Sequence, residues 1–281
     1  MKKLFLALFV LFLITETASS QKKQGSESFT FIQITDPQFG FFEANKGFGK
    51  ETELDEKAIK AINKLAPDFI VITGDLINNK DDQSQKAEFK RLTAGINSKI
   101  PVYYTPGNHD VGNSPTTKDI DSFISDYGRD KFSFKHKRSV FIGLNSCIIK
   151  ANTPVLEQVQ FDWLKKELLK ARKAKHIVVF SHHPFFVKAF DEPEFYFNIP
   201  PETRTQYISL FTENHVDAVF AGHLHNNGFA KYKNLQMVTT SAVGKPLSDI
   251  PSGFRIVKVF PDRIESTYCS LDEVPEVTSA E

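Results

Sequence analysis

Short runs of β-branched and aromatic residues alternate with longer stretches in which apolar residues recur every three or four positions, beginning at Phe29. The short runs predict strands, and the longer stretches predict amphipathic helices. The predicted strands cover residues 29–35, 69–73, 102–105, 131–135, 139–144, 177–181, 217–221, 229–232, 235–240, 254–260 and 263–269. The predicted helices cover residues 51–65, 86–96, 117–127, 158–175 and 202–214. Because the early strands alternate with helices and the late strands follow one another, we expect an α/β fold of two mixed sheets packed face to face, with helices outside both.

The first twenty residues have the form of a secretory signal peptide. Two lysines precede an apolar run over residues 4–14, and Ala18 and Ser20 supply the small side chains that a signal peptidase requires. We expect cleavage after Ser20 and a secreted or periplasmic protein with no membrane span. The alternative is a membrane anchor formed by an uncleaved signal, although the run is shorter than the roughly 20 residues needed to cross a bilayer.

The remainder divides into a polar linker over residues 21–28, one domain over 29–271 and a polar tail over 272–281. A chain of 281 residues, 41% of them apolar, can bury one full core, which favours a single domain. The formal charge is +1 and no long basic run occurs, so nucleic acid is not an expected partner. The oligomeric state is not predicted by any pattern in the sequence.

The two cysteines, Cys147 and Cys269, both lie in apolar, strand-like surroundings. Small buried thiols are common in protein cores, so two free thiols are the favoured interpretation. Export would nevertheless permit a disulfide between them.

Polar segments follow five of the predicted strands. They are Thr35-Asp36-Pro37-Gln38, Thr73-Gly74-Asp75, Gly107-Asn108-His109-Asp110, Ser181-His182-His183-Pro184 and Gly222-His223-Leu224-His225. The carboxyl ends of strands are where an α/β sheet presents its ligand-binding loops. Carboxylate and amide oxygens together with imidazole nitrogens suit hard and borderline divalent cations. The five segments therefore predict a shared metal site.

The order Asp-x-Gln, Gly-Asp, Gly-Asn-His-Asp, His-x-Pro, Gly-His-x-His resembles that of the calcineurin-like metallophosphoesterases, and the resemblance extends over about residues 29–271. Segments 36–40, 106–113, 195–198 and 268–272 are similar to a branch of that superfamily known as protein serine/threonine phosphatases. The resemblance implies a four-layer α/β/β/α sandwich, in keeping with the pattern of predicted elements. It also implies a hydrolase of phosphate esters that uses two divalent metal ions.

The resemblance further implies a role for each residue of the five segments. Asp75 would bridge both metals, and His109 would face the substrate, where it would stabilise phosphoryl charge or protonate the leaving alkoxide. The remaining ligands would divide into Asp36, Gln38 and His225 for one metal and Asn108, His182 and His223 for the other. Two cations that share a hydroxide lower its pKa and clamp a phosphoryl group for in-line attack.

Gln38 departs from the superfamily pattern, because most members have His at that place. An amide oxygen is a harder and weaker donor than imidazole, so we expect Mn, Fe or Mg rather than Zn at that position. The branch with the strongest resemblance also carries Gln there. The substitution therefore indicates membership of a subfamily rather than an inactive enzyme.

Three functions are compatible with these residues. The first is hydrolysis of a phosphomonoester, with phosphoserine or phosphothreonine suggested by the resemblance, and the second is hydrolysis of a nucleotide or lipid phosphodiester. A fold of this kind does not choose between them. The third is a non-catalytic phosphate-binding protein, which His109 argues against because binding alone does not require it.

Several other residues are open to two interpretations. The aromatic and acidic loop over residues 185–205 forms either a wall of the pocket or a self-packed surface loop, and Arg204 and Lys245 are candidate phosphate partners. His183 either lines the pocket or is a hydrogen-bonded loop residue. Asp110 either orients a neighbouring group or forms a turn.

Overall fold

The computed structural model describes residues 28–275, so the predicted signal peptide and nearly all of the predicted linker lie outside it. Its strands are β1 (Phe29–Ile34), β2 (Phe69–Thr73), β3 (Val102–Thr105), β4 (Phe132–His136), β5 (Ser139–Gly143), β6 (Ile177–Phe180), β7 (Ala218–Ala221), β8 (Gly228–Tyr232), β9 (Leu235–Thr239), β10 (Gly253–Val259) and β11 (Ile264–Ser270). Its helices are α1 (Gly49–Leu65), α2 (Gln83–Thr93), α3 (Asn108–Val111), α4 (Thr117–Tyr127), α5 (Ser146–Lys150), α6 (Pro154–Ala171) and α7 (Pro201–Glu213).

The strands form two mixed sheets. One has the order β11-β10-β1-β2-β3, in which β1, β2 and β3 are parallel and β10 and β11 are antiparallel to their neighbours. The other has the order β4-β5-β6-β7-β9-β8, in which β5, β6, β7 and β9 run parallel. The parallel strands of each sheet thus end along a common edge, which is where the polar segments predicted from the sequence lie.

A layer of phenylalanine rings lies between the two sheets. Phe31 stacks on Phe69 of its own sheet at 4.9 Å and meets Phe141, Phe180 and Phe220 of the other sheet edge to face, with ring centroids 5.6–5.8 Å away. Side chains alternate between the two faces of a strand, so the residues next to these phenylalanines point away from the layer. The sheets therefore pack face to face, as predicted.

Helices cover the outer face of each sheet. Ile32 and Ile34 of β1 pack in a cluster with Ala58 and Ile62 of α1 and Phe89 of α2. On the second sheet, Val179 and Val219 pack in a cluster with Leu164 and Leu168 of α6 and Phe211 of α7. The result is the α/β/β/α sandwich that the resemblance implied.

Some predicted element boundaries are wrong. Helix α2 covers residues 83–93 rather than 86–96, because the Asp82 carboxylate caps it by accepting from the backbone amides of Ser84 and Gln85. Helix α6 begins at Pro154 instead of residue 158. The backbone N–H at a first helical position has no partner within the helix, so proline, which lacks that N–H, is favoured there. The short helices α3 and α5 were not predicted.

The two cysteines are buried and unpaired, so the preferred interpretation as free thiols is confirmed. Over residues 28–275, none of the helices combines the length and the apolar character needed to cross a bilayer.

Candidate metal centre

The predicted ligands come together at the edge where the parallel strands of both sheets end. Asp36 and Gln38 follow β1, Asp75 follows β2, and Asn108 begins the short helix after β3. His182 follows β6, and His223 and His225 follow β7. Each sheet therefore contributes part of the ligand set, with the carboxylate and amide ligands on one sheet and the imidazole ligands on the other.

His182 lies at the centre of one group of donors. Its Nε2 atom is 3.1 Å from Oδ1 of Asn108, 3.1 Å from Nδ1 of His223 and 3.3 Å from Oδ2 of Asp75. Its Nδ1 atom donates to the carbonyl of Thr73 at 3.0 Å, which fixes the ring and leaves Nε2 as the nitrogen able to bind a cation.

Asp36 lies at the centre of a second group. Its Oδ1 atom is 3.4 Å from Nε2 of His225, while its Oδ2 atom accepts from the Thr35 hydroxyl at 2.5 Å and from the His223 amide at 3.0 Å. The other ring nitrogen of His225 donates to the carbonyl of Lys245. Asp36, Asp75 and His225 each present a ligand atom within 4.8 Å of the others.

Three of these side chains carry a buried polar atom that has no hydrogen-bond partner within residues 28–275. The atoms are Oδ1 of Asp36, Oε1 of Gln38 and Nε2 of His223. The Gln38 amide nitrogen donates to Oδ1 of Asn78, which leaves the carbonyl oxygen as its remaining polar atom. An unsatisfied buried polar group costs roughly 1–3 kcal/mol. Each of these three unpartnered atoms is of a type that binds metal ions and belongs to a predicted ligand, so the residues fit divalent cations.

Five of the seven predicted ligands have left-handed backbone conformations. The φ angles are 51° at Asp36, 42° at Gln38, 49° at Asp75, 68° at His223 and 49° at His225. Non-glycine residues in this region cost of order 1–3 kcal/mol each, and such outliers concentrate at functional sites. The surrounding loops therefore hold the ligand backbones in conformations that local preference alone does not favour.

Two glycines allow the ligand loops to approach one another. A Cβ atom on Gly107 would lie 2.2 Å from the backbone nitrogen and from Oδ1 of Asp75. A Cβ atom on Gly222 would lie 1.8 Å from the Thr35 hydroxyl and 2.6 Å from Oδ2 of Asp36. Both positions require a residue without a side chain.

The titrating groups of the cluster perturb one another strongly. Burial alone would raise the pKa of Asp75, but the charge of His182 and its hydrogen bond hold it far below the usual range. Burial alone would lower the pKa of His182, yet the carboxylates of Asp75 and Asp36 raise it to about 9. Burial and the charge of His182 lower the pKa of His223 to about 3. A protonated imidazole thus balances the carboxylates, and bound cations would take over that role with release of the proton.

His109 is fixed beside the cluster. Its backbone amide donates to Oδ1 of Asp75 at 2.9 Å, and its Nδ1 atom donates to the carbonyl of Asn78 at 2.8 Å. The ring is half-buried, and Nε2 is its remaining nitrogen. This arrangement suits a group that acts on substrate.

The structure assigns Asp110 the orienting role, and it supports both interpretations of His183. The carboxylate of Asp110 accepts from the amides of Leu76 at 2.9 Å and Gly107 at 2.7 Å, so it orients the loops that carry Asp75 and Asn108. The His183 ring is buried, with its centroid 4.4 Å from that of His223. It also presents a nitrogen within 4.8 Å of donor atoms on His182 and His223, so it lies against the cluster.

Two residues that support the cluster, Ser146 and Asn78, were not predicted from the sequence. The Ser146 hydroxyl accepts from the amides of His182 at 3.1 Å and His183 at 2.8 Å, and it lies 3.2 Å from Nδ1 of His183. Asn78 accepts from both Gln38 and His109. Asn145-Ser146 is a polar pair directly after a predicted strand, as the five polar segments are, so the same pattern could have identified Ser146. No comparable pattern marks Asn78.

Arg204, one of the two candidate phosphate partners, is not placed to contact phosphate. Its side chain is wholly buried, and its guanidinium donates to the backbone carbonyls of Phe190, Glu192 and Ile199 at 2.6–3.1 Å. It therefore holds the loop together from inside. Lys245, the second candidate, places Nζ 5.3 Å from the ring centroid of Phe41, at the side of the cluster where His225 lies.

A four-layer sandwich with buried carboxylate, amide and imidazole donors at its strand ends has the fold and the donor set of a metal-binding α/β protein. Residues 29–227 match the family model described as calcineurin-like phosphoesterase, and the chain belongs to that family. It is therefore a hydrolase that acts on phosphoric ester bonds, and the family uses a dinuclear metal centre.

Full-length relatives support this assignment. The chain is 36% identical to a rat serine/threonine-protein phosphatase, CPPED1, over 92% of this chain and 88% of the relative. It is 38% identical to human CPPED1 over 88% of this chain and 85% of the relative. Among solved structures, a dimetal phosphatase from Danio rerio superposes with a TM-score of 0.65, covering 86% of this chain and 96% of that one at 15% identity, which shows the shared fold.

Proposed function

We propose that this protein is a phosphomonoesterase that binds two divalent cations and acts on phosphoserine or phosphothreonine. The observation that carries the proposal is the set of buried, unpartnered donor atoms on Asp36, Gln38 and His223. The names of the rat and human relatives support the choice of substrate, since both are called serine/threonine-protein phosphatases.

In this proposal the seven ligands divide between two cations. Asp75 lies between the two groups of donors, 3.3 Å from His182 and within 4.8 Å of Asp36 and His225, so it is the residue suited to bridge them. One cation would be held by Asp36, Gln38 and His225, and the other by Asn108, His182 and His223. When bound, the two cations would supply the positive charge that orients a phosphate ester and activates water.

The protein residues then perform three tasks. Thr73 and Lys245 fix the rings of His182 and His225 through their backbone carbonyls, so that the opposite nitrogen of each ring faces the cluster. His109, held by Asn78, offers Nε2 to stabilise phosphoryl charge or to protonate the leaving oxygen. Gln38 contributes an amide oxygen, which favours Mn, Fe or Mg over Zn at that position.

The direct test uses Asp75→Asn, which keeps the shape of the side chain but removes its charge. We expect near-complete loss of p-nitrophenyl phosphate hydrolysis and reduced content of Mn, Fe or Mg in the purified protein. Asp262→Asn is the matched control, because the Asp262 side chain is 75% exposed. Unchanged turnover in Asp75→Asn would contradict the bridging role. Faster hydrolysis of bis-p-nitrophenyl phosphate than of the monoester by the unmodified protein would replace the monoesterase with a diesterase.

We also propose that the protein is exported and that its N-terminal signal is removed after Ser20. The support is the arrangement of basic, apolar and small residues in the first twenty positions. Mass spectrometry of the mature protein is expected to find Gln21 at the N-terminus. Recovery of the intact chain from the membrane fraction would favour the uncleaved anchor instead.

A further inference from the structure

The aromatic residues Phe195 and Tyr196 lie at the tip of the loop that follows His182. Tyr196 is 65% exposed, although large aromatic side chains are usually buried. Its ring centroid lies 5.4 Å from that of His223. One side of the ring therefore lies beside a predicted metal ligand, while most of its surface faces solvent.

The loop backbone beneath Tyr196 is held from several directions. The Asn198 side chain accepts from the amide of Phe195 at 2.8 Å and donates to the Glu192 carboxylate at 2.7 Å. Lys150 donates to the carbonyl of Phe195 at 2.9 Å. The buried guanidinium of Arg204 binds three further carbonyls of the loop. A ring presented on a backbone fixed in this way loses little conformational entropy when it binds a ligand.

We propose that Tyr196 is a specificity-determining residue whose ring packs against the leaving group of the phosphate ester, favouring leaving groups with a flat or apolar face. The proposal rests on the proposed function, because the phosphoryl group of the ester must bind at the ligand cluster. An ester held there by its phosphoryl group lies beside His223, and the exposed Tyr196 ring is an apolar surface next to that ligand. The hydroxyl is not needed for this contact.

The test measures binding instead of turnover. Protein loaded with Mn²⁺ is titrated with phenylphosphonate and with methylphosphonate, which share a phosphoryl group that cannot be hydrolysed and differ in the attached surface. We expect the unmodified protein to prefer phenylphosphonate, and Tyr196→Ala to reduce that preference about three- to tenfold by loss of the ring contact. Tyr196→Phe keeps the ring and is expected to keep the preference. Phe229→Ala, which removes an aromatic side chain that is 66% exposed on β8, is the matched control and is expected to change nothing.

Three results would overturn the proposal. The first is a preference for phenylphosphonate that survives in Tyr196→Ala or is absent from the unmodified protein. The second is an equal loss of affinity for both phosphonates in Tyr196→Ala, which would place the contact on the phosphoryl group or the ligands. The third is a loss in Tyr196→Phe as large as in Tyr196→Ala, which would assign the effect to the hydroxyl. Because no bond is cleaved, the test stands even if the unmodified protein fails to hydrolyse p-nitrophenyl phosphate, a failure that would reject only the proposed function.

Discussion

Gly107→Ala tests whether the close approach of the ligand loops maintains the metal centre. Gly107 has φ −104° and ψ 173°, a backbone conformation that alanine adopts without strain. The added methyl group would nevertheless lie 2.2 Å from both the backbone nitrogen and Oδ1 of Asp75. The effect of this substitution therefore arises from contact alone and falls on the proposed bridging carboxylate.

The magnitude follows from the size of the overlap. A Cβ atom essentially never approaches another heavy atom within 3.0 Å, so residues 75 and 107 must separate by at least about 0.8 Å. The backbone nitrogen cannot rotate away as the end of a flexible side chain could. Overpacking of this kind costs about 1–3 kcal/mol, which lowers the melting temperature by about 2–12 °C. A displacement of about 1 Å in a catalytic site lowers turnover on the order of 100-fold.

The assay compares Gly107→Ala with Gly49→Ala, a control at which the new methyl group meets no atom within 4 Å. We expect Gly107→Ala to melt at a lower temperature, to retain less metal after dialysis and to hydrolyse p-nitrophenyl phosphate on the order of 100-fold more slowly. Gly49→Ala is expected to match the unmodified protein in metal content and turnover. If the two variants retain equal metal and equal turnover, the loop contact does not position Asp75.

Two further predictions concern groups outside the cluster. Burial raises the pKa of Asp55 to about 7, above the value of 3.8 expected in the unfolded chain. The protonated carboxyl therefore contributes to the free energy of unfolding below pH 3.8. That contribution, up to about 4 kcal/mol, is lost as the pH rises to 7. Asp55→Asn should therefore raise the melting temperature at pH 8 but not at pH 3.5. The exposed control, Asp81→Asn, should leave the melting temperature unchanged at both pH values. Equal melting curves for Asp55→Asn and the unmodified protein at pH 8 would refute this prediction. Arg204→Lys keeps the positive charge but loses the planar set of guanidinium donors that binds the loop carbonyls. Chymotrypsin should therefore cleave within residues 187–199 about tenfold faster or more. The exposed control, Arg263→Lys, should be cleaved at the rate of the unmodified protein. Unchanged cleavage in Arg204→Lys would show that the loop does not depend on the guanidinium.

The fold was predictable because its local signals agree with its packing. In β1, Phe31 faces the other sheet while Ile32 and Ile34 face the helices, so the strand is apolar on both faces and appears in the sequence as a continuous run. The polar segments were recognisable for a related reason, since each interrupts such a run at the point where the strand ends. Boundaries were less predictable, because the start of α2 depends on one side chain, Asp82, that accepts from backbone amides.

The sequence predicted which side chains would converge at the candidate site, but not the residues that support them. Asn78 contacts Gln38 and His109, which lie 40 and 31 positions away in the sequence, and no periodicity encodes such contacts. For Arg204 the sequence left two roles open, because a guanidinium near a predicted ligand can bind either phosphate or backbone carbonyls. Only the burial of its side chain distinguishes the two roles.

The ligands come from two sheets, so the distances between them depend on how the sheets are held relative to one another. The phenylalanine layer packs the two sheets together, but apolar contact is not directional and does not define a register to within a few tenths of an ångström. Directional bonds lie immediately behind the ligand loops. Gln33 of the first sheet donates to Thr73 at 2.9 Å and to the carbonyl of Ala221 in the second sheet at 3.2 Å, and it accepts from Thr240 at 2.6 Å. Because Thr73 and Ala221 lie two residues before Asp75 and His223, this buried network fixes the two halves of the candidate metal centre at the position where an error in register would separate them.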